Sequence, residues 1–249
     1  MSAFTREIRR SRHRTTGCLA AAVLTVALAG CGTRSSAEEM LIDEALDATF
    51  EEADTLTSTK RMSADEVAVI RTAVTDDTER CDMRMEMGEV RAEFLITDSA
   101  AYSRSNKVAV RLAASEVEGL PPEAIEMMGD RWVKRNQLTS DLARKTLCDR
   151  TGLRDELEDT FLAPENRGDG KEQDATLNGR PTTKITFTGG PKPVEVHVAA
   201  EGPPYLLKIT ERGGVVWTFS DFDKPYRTSA PADALDEEEL PEKLLAVLM

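Results

Sequence analysis

Residues 171–222 read KEQDATLNGRPTTKITFTGGPKPVEVHVAAEGPPYLLKITERGGVVWTFSDF. Apolar and polar side chains alternate here with a period of two. Val194, Val196 and Val198 are separated by Glu195 and His197, and Val215, Trp217 and Phe219 are interleaved with Thr218 and Ser220 in the same way. That period belongs to strands with one dry and one wet face. Turn residues cut the stretch at Asn178-Gly179, Gly189-Gly190 and Gly213-Gly214, predicting strands over 172–177, 182–188, 194–199, 205–210 and 215–222. Asn-Gly between alternating runs is the strongest short hairpin signal. The intervals are too short to hold a helical crossover, so the strands pair antiparallel.

The same alternation occurs upstream. Met83, Met85 and Met87 share a face with Cys81, against Asp82, Arg84 and Glu86. After a Gly88-Glu89 turn, Ala92, Phe94 and Ile96 alternate with Arg91 and Glu93, which predicts a second hairpin. Further strands are expected over 55–63 and 67–74, the latter closing at Thr75-Asp76-Asp77. The segment 107–148 has helical spacing: one helix around 108–117, another started by Pro121-Pro122 and reaching Ile125 and Met128, and a third over 138–147. Leu153, Leu157 and Phe161 continue it, and Gly168-Asp169-Gly170 ends it. Near the start, Met40, Leu41, Ala45, Leu46 and Phe50 lie three and four apart, an amphipathic helix. Strands, then helices, then strands predict an α+β fold built on an antiparallel sheet.

The N-terminus specifies location. Arg6, Arg9, Arg10, Arg12 and Arg14 precede an apolar run over 19–29, which ends in Leu28-Ala29-Gly30-Cys31. Basic start, short apolar stretch and small residues are the parts of a signal peptide, and the last four have the form of a lipoprotein cleavage site. The expected organisation is a signal peptide over 1–30, a tether over 31–37 acylated at Cys31, and one domain over 38–249. The apolar run is too short to span about 30 Å of hydrocarbon as a helix. Arginine outnumbers lysine 22 to 10, in keeping with a GC-rich, actinobacterial genome. The protein is expected on the outer face of a Gram-positive cytoplasmic membrane, held there by its lipid.

Residues 1–30 hold five arginines and one glutamate, so their removal takes the formal charge from −13 to −17. Nucleic acid is not an expected partner, because phosphate neutralisation needs massed Lys and Arg. With Cys18 removed and Cys31 acylated, Cys81 and Cys148 remain, and two leftover thiols in an exported chain are expected to bridge.

Catalytic chemistry finds little support. His197 is the one histidine after residue 30, set mid-strand among valines on the predicted polar face, where it reads as solvent-facing. A Ser-His-Asp arrangement therefore has nothing to recommend it. Asp221 and Asp223 stand two apart on a predicted strand face, and such pairs occur by chance in so acidic a chain. Asp76-Asp77 and the acidic run 236–239 read as solvated turns, with no spacing of an EF-hand loop. No catalytic residue, metal or cofactor is expected, and the chain reads as non-enzymatic. Trp132 and Trp217 read as core residues. Pro241 with Leu244, Leu245, Val247 and Leu248 predicts a terminal docking helix.

Taken in order, Cys81 in an early hairpin, Arg131-Trp132-Val133-Lys134, Leu147-Cys148-Asp149, Asn178-Gly179-Arg180-Pro181, Gly202-Pro203-Pro204-Tyr205-Leu206-Leu207 and Thr218-Phe219-Ser220-Asp221-Phe222 resemble the actinobacterial lipoproteins of the LppX and LprG type. That fold is similar to the LolA and LolB carriers. The resemblance covers about residues 50–232. It implies a strongly curved antiparallel half-barrel, with helices over the concave face and in some members a lipid-sized cavity. An acyl-chain ligand would then be lined by residues drawn from Met83, Met85, Phe94, Ile96, Ile185, Phe187, Val196 and Trp217, picked by alternation. The other reading is a module with a filled core that docks or senses another envelope protein. Composition does not distinguish a filled core from an empty one.

Overall fold

The computed structural model describes residues 37–75, 78–115, 122–167, 170–190, 192–211 and 214–240. The expected signal peptide, Cys31, Asp76-Asp77 and the helix expected after Pro241 lie outside the described residues. In chain order the elements are α1 (Ala37–Asp47), a π-helical turn (Ala48–Glu52), β1 (Thr55–Arg61), β2 (Glu66–Thr75), β3 (Thr78–Met87), β4 (Val90–Ile96) and β5 (Ala101–Ser105). Then come α2 (Lys107–Ser115), α3 (Pro122–Met128), β6 (Trp132–Lys134), α4 (Gln137–Leu147), α5 (Arg150–Thr160) and α6 (Pro164–Arg167). The chain continues with β7 (Lys171–Leu177), β8 (Arg180–Phe187), β9 (Val194–Ala199), β10 (Leu206–Glu211), β11 (Val216–Ser220) and β12 (Leu235–Asp236), which leads into a 3-10 turn (Glu237–Glu239).

Among the described residues all twelve strands form one sheet in the order β12-β6-β5-β4-β3-β2-β1-β11-β10-β9-β8-β7. Every pairing is antiparallel except β12 against β6, a parallel pair that corrects the all-antiparallel expectation. The chain reaches β6 from β11 along a strap, residues 221–234, that crosses the sheet and so arrives in the parallel sense. The hairpin turns follow the sequence. Asn178 and Gly179 both hold positive φ, 52° and 81°, between Leu177 and Arg180, the backbone a two-residue type I′ turn requires.

Three of the described strands, β5, β6 and β12, were not expected from the sequence. In β5 the residues on the helix-bearing face are Ala101, Ser103 and Ser105, too small or polar to give an apolar period. Three-residue β6 is too short to show one. The helices start on side-chain caps: Asn136 Oδ1 accepts from Thr139 N at 2.9 Å, and Asp149 Oδ1 accepts from Gly152 N at 2.9 Å.

The register puts Ile70, Met83, Met85, Phe94, Trp217, Val196 and Ile185 on one face, covered by helices, and Arg71, Asp82, Glu93, Lys208 and His197 on the other. The main core lies on the helix face of β1 and β8–β11. There Ile42, Leu46 and Phe50 from α1 and its π-helical extension meet Leu157 and Phe161 from α5 over Ile185, Val196, Ile209 and Phe219. Met40, expected on the packed stripe of α1, is instead 64% exposed. The bridge Cys81–Cys148 ties β3 to the end of α4, with Cα atoms 5.5 Å apart.

Three polar readings are corrected. His197 is buried, not solvent-facing. Its Nδ1 lies 3.2 Å from Thr182 Oγ1, and the stems of Lys184 and Lys208 on the adjoining strands flank it. Asp221 and Asp223 are not on a strand. Both follow β11 at positive φ, 57° and 56°; Asp221 takes Lys224 Nζ at 2.5 Å, and Asp223 takes Tyr205 Oη at 2.5 Å and Asp54 N at 2.8 Å. Burial and that carboxylate push the Tyr205 phenol up to about 12. In the acidic run, Glu237 is buried beside Arg135, 3.5 Å from its Nε.

Candidate functional site

The helix face is not covered evenly. Between β1, β2 and the junction of α4 with α5 lies an open cavity of about 330 Å³. Leu56, Ala68, Ile70 and Trp217 rise into it from the strands, and Leu147 and Leu153 close it from the helices. Alternation supplies the strand residues; the caps at Asn136 and Asp149 fix where the helices start and so where their apolar faces fall.

The polar boundary is made of held groups. Lys60 Nζ sits 2.6 Å from Glu156 Oε1 and 4.9 Å over the Trp217 ring, a cation–π contact at the margin. Arg150, buried, donates to Thr72 Oγ1 at 2.8 Å, Ala53 O at 2.5 Å and Asp54 O at 3.1 Å, which seats the first turn of α5 on β2. Trp217 is buried, and its Nε1 has no hydrogen-bond partner among the described residues. An unmade buried donor is an exception that asks for a partner.

The eight lining residues proposed from alternation share this face but separate into four groups. Trp217 borders the cavity. Ile185, Phe187 and Val196 lie in the filled main core at 0–1% exposure, and Ile96 packs with the disulfide. Met83, Met85 and Phe94 are half-buried. Through Ile70↔Met83 and Ala68↔Met85 they continue the cavity's apolar floor across β3 and β4. Sequence reasoning missed Leu56, Ala68, Ile70, Leu147 and Leu153. The first three were legible as every second residue of expected strands; the two leucines depend on where the helices dock, which no local pattern states.

Among the described residues no group of three His, Cys, Asp or Glu side chains is placed to hold a metal ion. None of the described helices is long and apolar enough to cross a membrane.

No family model matches the sequence, and neither does any curated protein. Among solved structures, the chain is similar to MucB in its complex with MucA(peri), at 13% identity and a TM-score of 0.38, over 79% of this chain and 59% of that one. It is also similar to PNGF-II, at 9% identity and a TM-score of 0.26, over 78% of this chain and 32% of that one. The chain thus spans less than two thirds of either protein's length, and at these TM-scores neither likeness bears on function.

Proposed function

We propose that this chain is a non-enzymatic lipoprotein of the LppX and LprG type, held on the outer face of the cytoplasmic membrane by acylated Cys31, and that it binds an acyl chain on the helix face of a half-barrel sheet. The observation that carries this reading is the unevenly covered face. Ala68, Ile70, Met83, Met85 and Phe94 form an apolar strip that the helices leave half-exposed, and it runs into the cavity beneath Leu147 and Leu153. A strip of this kind gains roughly 25 cal/mol for each Å² a ligand covers. About 330 Å³ lies at the small end of ligand pockets, which run from roughly 300 to 1,000 Å³, so one chain suits it better than several. The methionine thioethers of Met83 and Met85 adapt to a flexible guest.

Native mass spectrometry of the processed protein after incubation with palmitate-containing vesicles tests the reading. One added mass per chain, lost in I70D and M85D variants, supports it. A protein that stays empty overturns it. A second reading, docking of another envelope protein, is favoured by Leu138 and Leu142, which are 81% and 62% exposed one turn apart on α4. In that case L138D with L142D abolishes partner capture and leaves lipid uptake unchanged.

A further inference from the structure

The face opposite the helices carries a second hollow, also about 330 Å³. It lies under the strap, where Arg227, Thr228 and Ser229 pass over β2, β3 and β4. The strap is fixed on both sides of it. Thr55 Oγ1 donates to Lys224 O at 2.8 Å, Tyr226 Oη donates to Asp82 Oδ1 at 2.7 Å, and β12 is paired to β6. Yet the space beneath is not filled: a smaller hollow of about 240 Å³ lies beside it, and Arg71 borders both. Protein interiors pack densely, so a segment pinned at three points over open volume is a frame, not a plug.

The lining has a definite chemistry. Val69 and Leu95 form an apolar floor, Trp132 a wall, and Arg71, Arg84 and Arg227 bring three guanidinium groups to the same space. Met83 and Phe94 border it along the strand backbone, because alternation turns their side chains to the helix face. The two carboxylates present are already engaged. Asp82 accepts from Tyr226, and Glu93 is shared by Arg84, at 3.1 Å, and Arg104. Arg104 in turn lies 4.8 Å over the Trp132 ring, fixing that wall. Among the described residues neither Arg71 nor Arg227 is held in an ion pair. In a chain of formal charge −13, three guanidinium groups around an apolar floor run against the overall charge.

We infer that the strap hollow binds a small organic anion, its phosphate or carboxylate held by Arg71, Arg84 and Arg227 and its ring or apolar body laid against Trp132, Val69 and Leu95. Guanidinium presents paired N–H donors that match both anions, and the indole wall takes a flat body by stacking. The site is separate from the acyl-chain cleft and stands whether or not that cleft takes lipid.

Titration calorimetry with phenyl phosphate, inorganic phosphate and phenol as probes tests it. Phenyl phosphate is expected to bind about tenfold more tightly than inorganic phosphate, with phenol silent, and R71Q and R227Q each to weaken phenyl phosphate by about tenfold. Both arginines are on the surface, so the variants keep the wild-type melting temperature, and K145Q on α4 keeps wild-type affinity. Equal binding by wild type, R71Q and R227Q overturns the site, as does no binding of phenyl phosphate at about 10 mM. Co-sedimentation with phosphatidylglycerol vesicles identifies the source of the anion: pull-down lost in R71Q and R227Q assigns a lipid headgroup, whereas no pull-down alongside phenyl phosphate binding assigns a free ligand.

Discussion

On the helix-bearing side, β8–β11 and β2–β4 start from the same sequence device and end differently. Both present every second residue as an apolar row. Over β8–β11 that row is sealed, with Ile185, Val196, Leu206 and Ile209 all at 0% exposure beneath α1 and α5. Over β2–β4 the row of Ile70, Met83, Met85 and Phe94 is left half-covered, and Met87 at its end is 40% exposed. Alternation therefore tells which side chains share a face but not whether that face is dry. Dryness is set by where the helices land, and α4 is brought to its half by a covalent bridge more than by a broad apolar seat.

The contrast has measurable consequences. Truncating the sealed row costs most: Phe187→Ala should remove roughly 3–5 kcal/mol in urea unfolding. A loss below about 1 kcal/mol would mean the core there is loose and the two regions alike. Removing the bridge with C81A and C148A should cost about 4 kcal/mol, the chain-entropy value for a crosslink that spans 67 residues. Amide exchange should then accelerate in α4 and β3–β5 while β8–β11 keep their protection; uniform acceleration would show that the halves do not act separately.

A pH effect follows from His197. Burial first, then Lys208 and Lys184, hold its pKa below the usual 6.5, with Glu195 opposing. Below 6.5 the unfolded chain takes up a proton that the folded one resists, so stability falls as the pH drops from 6.5 towards the folded pKa and is level above 6.5. H197Q should flatten that slope between pH 6.5 and 5; an unchanged slope would place its origin elsewhere. The smallest effect belongs to the open row. Met85→Ala should cost under about 1 kcal/mol, and a loss matching Phe187→Ala would show that row to be covered after all.

Much of this architecture was legible in the sequence, for local reasons. The 171–222 meander, the methionine hairpin, the helices over 138–147 and around Leu157, and the pairing of Cys81 with Cys148 all follow from spacing, turn residues or elimination. What was not legible is long-range. β5 shows small residues to the helices, β6 is three residues long, and the parallel β12 exists only because the strap carries it across the sheet. His197 was assigned to water because its strand face is polar, yet lysine stems can cover a neighbour while their charges stay wet. Of the candidate lining, Trp217 borders the cavity, whereas Ile185, Phe187 and Val196 lie in the core beneath α1, a placement that no local pattern states.

The strand order also sets how the chain assembles. Apart from the short β12 pair, each neighbouring pair is consecutive in sequence but one, β1 with β11, where Thr57 meets Ser220. Two local stacks of hairpins can thus zip independently and quickly, and a single distant closure joins them. Loop entropy for that closure grows only slowly with the intervening length, but it is the step that sets the contact order and hence the speed. Until this seam shuts, both β1 and β11 offer an open margin, and a chain released from the ribosome is most exposed to pairing with its neighbours along those two strands.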